Sequence, residues 1–143
     1  MDDKKYSILK WSYYESLLIN NLGVKPTKIE DYELSNNGKS IESKWYDIED
    51  WESLDDLTIL GYLEELKPFR GELLVVTEAS YFNDKLGPFQ VNAVDMKQFV
   101  NSHLESFGEC FFNGDVIIVS INDKLVWIFH HEGMYTLINH DNK

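Results

Sequence analysis

Residues 108–140, GECFFNGDVIIVSINDKLVWIFHHEGMYTLINH, decide the fold. Four runs rich in β-branched and aromatic residues (GECFF, DVIIVSI, KLVWIFHH and MYTLINH) are separated by Asn113-Gly114, Asn122-Asp123 and Glu132-Gly133. Glycine adopts positive φ without steric cost, and Asn and Asp bond their own nearby backbone, so each pair supplies turn chemistry. Strands this close in sequence pair antiparallel, which predicts a β-meander in the C-terminal third.

Working outward, Gly71 to Ala79, GELLVVTEA, reads as a further buried strand and PFQVNA at 88–93 as another extended piece. Two segments have helical periodicity instead. Ile8, Leu9, Trp11, Tyr14, Leu17, Leu18 and Leu22 fall three and four apart within Tyr6–Leu22, ahead of Gly23 and Pro26. Met96, Phe99, Val100, His103, Leu104 and Phe107 do the same over Val94–Phe107, with Gly108 as terminator. Asn37-Gly38, between Leu34 and Ile41, predicts a hairpin within 32–45. The expectation is one α+β domain over residues 1–143, an antiparallel sheet ending in the meander with helices packed on one face.

Composition narrows the function. A length of 143 residues fits one core, and 43% apolar with 14% aromatic residues is too much for a disordered chain. The net charge of -12 disfavours nucleic acid and anionic membrane surfaces, whose binding needs Lys and Arg. The single Cys110 forms no internal disulfide, the N-terminus lacks the apolar run of an export signal, and no run approaches the roughly 20 apolar residues of a membrane span. A cytoplasmic protein is expected.

The charge is concentrated. Residues 28–66 hold three Lys against twelve acids, a net -9 of the total -12. Within them, Trp45 to Leu66 (WYDIEDWESLDDLTILGYLEEL) contains eight carboxylates, no Lys, Arg or His, and interleaved Trp45, Tyr46, Trp51 and Tyr62. Asp47 is placed to cap a helix with Glu49 and Asp50 in its first turn, and Ser53-Leu54-Asp55-Asp56 has the form of a second capping box. Ile48, Trp51, Leu54, Leu57, Leu60 and Leu63 then face the core, leaving a helical ridge of acids with Trp45 and Tyr46 as exposed anchors. Unpaired like charges repel, and Trp and Tyr dominate interface hot spots, so the stretch reads either as a solvated helix face or as a surface for a basic partner.

Catalytic signals are sparse. His130-His131-Glu132-Gly133 lacks the i, i+4 spacing of a helical zinc pair, and neighbouring histidines on a strand point to opposite faces. Cys110 has no basic neighbour in sequence to activate it, and no phosphate-cradling glycine loop or calcium loop is present. No metal or cofactor is expected, and neither is an enzyme.

The residues KWYDIEDWESL at 44–54 and FFNGDVIIVSINDKLVWIFHHEG at 111–133 resemble small bacterial toxin-immunity proteins, in particular those paired with contact-dependent growth-inhibition toxins. The resemblance implies a stoichiometric inhibitor of a basic, nuclease-like toxin domain, with carboxylates standing in for substrate phosphates. It implies partner contacts by Trp45, Tyr46, Asp47, Glu49, Asp50, Glu52, Asp55 and Asp56. The alternatives are a small histidine- or metal-dependent enzyme on the C-terminal sheet and a regulatory interaction domain unrelated to toxins.

Overall fold

The computed structural model describes residues 6–22 and 45–139; the expected hairpin at Asn37-Gly38 and the caps at Gly23 and Pro26 lie outside them. The described strands form one antiparallel sheet: β1 (Tyr6–Ile8), β2 (Tyr46–Asp47), β3 (Glu72–Thr77), β4 (Phe89–Asn92), β5 (Val116–Ser120), β6 (Leu125–His130) and β7 (Met134–Asn139). Their spatial order is β1-β4-β3-β5-β6-β7-β2. The predicted meander forms its right half, with Val116 opposite Phe129 and Phe129 opposite Tyr135. The α+β architecture is the one expected.

The central strands are apolar at every position rather than at alternate ones. All five residues of β5 and the first five of β6 are buried, so both faces of the sheet must be covered. On one face Leu73, Val75, Ile118, Trp127 and Phe129 meet α2 (Asp56–Leu66), α3 (Met96–Asn101) and α4 (His103–Phe107). On the other, Leu74, Val76, Ile117, Val119, Val126, Ile128 and Ile138 meet Tyr14 and Leu18 of α1 (Trp11–Leu22). The expectation of helices on one face holds for α2, α3 and α4, whereas α1 covers the opposite face, because the central strands are apolar on both.

Four local expectations are corrected. GECFF is not a strand: Phe111 and Phe112 are buried, but their backbone amides donate to the Asp56 carboxylate at 2.8 and 3.3 Å instead of to a sheet partner. The helix expected from Tyr6 begins at Trp11, because Tyr6–Ile8 pairs with β4 as an edge strand. The helix over Val94–Phe107 is broken at Ser102, whose hydroxyl bonds back to the Gln98 carbonyl at 2.8 Å, the geometry by which a mid-helix serine bends the chain.

The fourth correction concerns Trp45 to Leu66. Asp47 caps no helix: it lies in β2, opposite Met134 of β7. Residues 49–50 form a turn, Trp51–Ser53 a single 3-10 turn, and only Asp56–Leu66 is α-helical, with Asp55 as its cap accepting from Thr58 N at 2.8 Å. Ile48, Leu60 and Leu63 are buried as expected, Leu57 is exposed, and Ile59 takes its place in the core. The acids therefore divide among a strand (Asp47), turns (Glu49, Asp50, Glu52), a cap (Asp55) and the α-helix itself (Asp56, Glu64, Glu65), and there is no continuous helical ridge.

Candidate functional site

The residues of chemical interest gather where β3, β5 and β6 reach the same end of the sheet. One step beyond the pair Thr77 and Val116, the Asp115 amide donates to the Glu78 carboxylate at 3.2 Å. One step beyond Val116 and Phe129, Asp115 meets the end of β6, and its Oδ1 accepts from the His131 amide and contacts His131 Nδ1, both at 2.8 Å. His130 then pairs with Met134, and Met134 with Asp47. Alternation within the strands places His130, Met134 and Asp47 on the α1 face, in line with Ile128 of its core, and Asp115 and Glu78 lie just beyond the ends of β5 and β3.

The two histidines converge, against the expectation that they diverge. Alternation holds only within a strand, and β6 ends at His130, so His131 belongs to the turn that Gly133 closes by donating to the His130 carbonyl at 2.9 Å. The rings stack at 4.2 Å and 27°. Gly133 has φ 85°, and a Cβ there would collide with the indole of Trp51, which packs on the turn and on Phe129 at 5.3 Å. Only glycine serves both demands.

Asp115 holds the pKa of His131 above the ordinary histidine value by accepting its ring proton; slight burial opposes this, and the charges of Asp115, Glu132 and Glu78 add to it. The Glu132 amide donates to His130 Nδ1 at 3.2 Å, a contact that coordination through this nitrogen would replace. One donor atom each from Asp115, His130 and His131 lie within 4.8 Å of one another, making these the described residues arranged to hold a metal ion. Beside them a shallow cleft of about 220 Å³ is lined by Trp45, His130, Glu132 and Met134, with the Trp45 ring edge-on to His130 at 6.4 Å.

The predicted partner-contact residues divide in two. Asp47, Glu49, Asp50 and Glu52 are exposed and border this end of the sheet, the Ile48 amide between them donating to Gly133 at 2.8 Å. Trp45 is half-buried against the α1-face core, and Tyr46 is half-buried on the other face, stacked on Tyr135 at 5.3 Å; neither is the exposed anchor expected. Asp55 is exposed but committed as a helix cap, and its hydrogen bonds from Thr58 hold its carboxyl below the usual range. Asp56 is half-buried and bound to the Phe111 and Phe112 amides. Sequence reasoning passed over Glu78, for which the signal was a carboxylate immediately following β3, and read Asp115 as a turn residue that satisfies backbone donors, which it does for the His131 amide while also meeting the His131 ring.

A second cavity of about 310 Å³ is lined by residues including Glu78, Asn83, His103, Cys110 and Asn113. His103 is 3% exposed among Phe89, Phe99, Phe107 and Phe111, and burial lowers its pKa to about 4. Its Nδ1 has no hydrogen-bond partner, while Cys110 is exposed. The same cavity thus brings together a neutral imidazole and a thiol.

Among the described residues, no helix is long and apolar enough to cross a membrane. No family model matches the chain, and no curated protein or solved structure does either.

Proposed function

We propose that the chain is an immunity-type protein that neutralises a basic, nuclease-like toxin domain by binding it through the acidic end of the sheet. One observation carries this reading: Asp47, Glu49, Asp50, Glu52 and Glu132 are exposed around the end of the sheet where β2, β6 and β7 meet, with Asp115 beside them, and the only basic side chains within 4.0 Å of a carboxylate among the described residues are the imidazoles of His130 and His131. Like charges held together without Lys or Arg counterparts repel one another in the free protein, and a cationic partner relieves that repulsion on docking. A negative patch of this kind also raises the association rate of a basic protein by about 10- to 1000-fold at low salt. The Trp45 face in the cleft offers a seat for an Arg or Lys side chain.

The structure alters which substitutions test the idea. Asp55 and Asp56 support the fold, so the informative variant reverses Asp47, Glu49, Asp50 and Glu52 to Lys. It is expected to fold, to lose binding in calorimetry to a basic toxin domain recovered with the parent chain by pull-down from its host, and to lose protection of cells that express that domain. Undiminished affinity would sink the acidic-surface mechanism. The enzyme reading has one observation in its favour, the hydrogen bond by which Asp115 orients His131. Under that reading His131→Ala removes a hydrolytic activity and leaves partner binding intact.

A further inference from the structure

The geometry points to a divalent transition-metal site of the zinc type at Asp115, His130 and His131, within the acidic end of the sheet but independent of whether a protein docks there. Two imidazole nitrogens and one carboxylate oxygen form a donor set typical of zinc, whose three protein ligands leave a fourth position open in non-structural sites. All three donors already lie within 4.8 Å of one another, and the closest pair, Asp115 Oδ1 and His131 Nδ1, is at 2.8 Å. Ligands about 2.0–2.1 Å from a tetrahedral ion stand roughly 3.3 Å apart, so that pair needs to open by only about half an ångström. The metal takes the place of the proton now shared between Asp115 and His131.

Three further observations fit an ion here. The ladder fixes the donors before any ion arrives: Asp115 precedes β5, His130 ends β6, and the His131 amide is tied to Asp115 at 2.8 Å. Glu132, 4.0 Å from His130 Nδ1 and with a 70% exposed side chain, is free to swing in as a fourth ligand. Glu78 accepts the Asp115 amide at 3.2 Å and Glu132 stands 4.0 Å from His130 Nδ1, so carboxylates surround the donors and the field favours a dication. The His131 side chain is 54% exposed, which gives the ion a way in and leaves the open position to solvent.

The test titrates the whole chain with Co2+ and Zn2+. One equivalent of Co2+ is expected to produce ligand-field absorption that Zn2+ displaces, and sub-stoichiometric Co2+ should broaden the ring resonances of His130 and His131 ahead of those of His103. His131→Ala and Asp115→Asn should each weaken binding by about tenfold or more, since even residues that only support metal ligands typically matter that much. Asn at 115 can still accept the His131 amide, so its effect separates lost ligation from lost structure. Glu49→Gln with Glu52→Gln should leave the spectrum unchanged. The proposal is overturned if no saturable 1:1 binding occurs, or if binding survives both His131→Ala and Asp115→Asn, or if it disappears with the Glu49 and Glu52 charges.

Discussion

His103 provides the sharpest test of how the core is built. Its ring is 4.6 Å from Phe107, 5.2 Å from Phe111 and 5.4 Å from Phe99, and burial holds its pKa at about 4 against an ordinary 6.5. The unfolded chain therefore takes up a proton on this side chain below about pH 6.5, while the native chain refuses it until about pH 4. In that window the unfolded state binds one more proton, so unfolding free energy falls as pH falls, by about 1.4 kcal/mol per unit. The full loss is about 3 kcal/mol, a large share of the roughly 5–15 kcal/mol that stabilises a typical domain. His103→Phe keeps the ring among its aromatic neighbours and removes the titration. Urea denaturation followed by far-UV circular dichroism at pH 7, 6, 5 and 4 should show the variant gaining on the parent by about 3 kcal/mol across the series, and no further below pH 4. Every other titrating group cancels in the comparison. Parallel stability curves for the two proteins would refute a neutral buried His103.

Two other substitutions separate supporting residues from surface ones. Asp56→Ala leaves the Phe111 and Phe112 amides without their acceptor and should cost about 2–3 kcal/mol in urea denaturation, whereas Glu49→Gln should stay within about 0.5 kcal/mol. Equal costs would mean that the Asp56 contact is not what anchors the loop before β5. Gly133→Ala should lower stability by about 1–3 kcal/mol because φ 85° is strained for alanine and its Cβ meets Trp51; a shift of tryptophan emission in the still-folded variant would report the displaced indole.

Much of the sheet was legible because its signals are local. Asn122-Asp123 and Glu132-Gly133 turn the chain where expected, and Leu73 to Val76 needed only their own apolar run to declare a buried strand. The absence of alternation in VIIV and LVWIF was a local sign that both faces are covered, and the expectation of helices on one face alone did not use it. What escaped depends on contacts distant in sequence. GECFF has strand composition, but its amides are claimed by Asp56, more than fifty residues earlier. β1 and β2, three and two residues long, are too short to show a period, and they exist because Val91 and Tyr135 offer free edges. Asp47 looked like a cap because capping is a local pattern and edge pairing is not. The histidines were misjudged for a related reason: the residue at which a strand stops decides whether two neighbours diverge or meet.

The acidic end is more than the ordinary polarity of strand termini. Strands that merely run out into solvent should turn polar on both faces of the sheet together. Here the face covered by α2, α3 and α4 stays apolar to the last residues, with Phe129, Tyr135 and Phe112 buried and Trp51 laid against the closing turn. Over the same distance the α1 face passes from Ile128 to His130 in a single step, with Asp115 held beside it by the His131 amide. The change is therefore a property of one face. It gathers carboxylates whose mutual repulsion works against folding, and it does so beside the two histidines and Trp45. A cation relieves that repulsion whether it arrives as the side chain of a basic protein or as a bound metal ion.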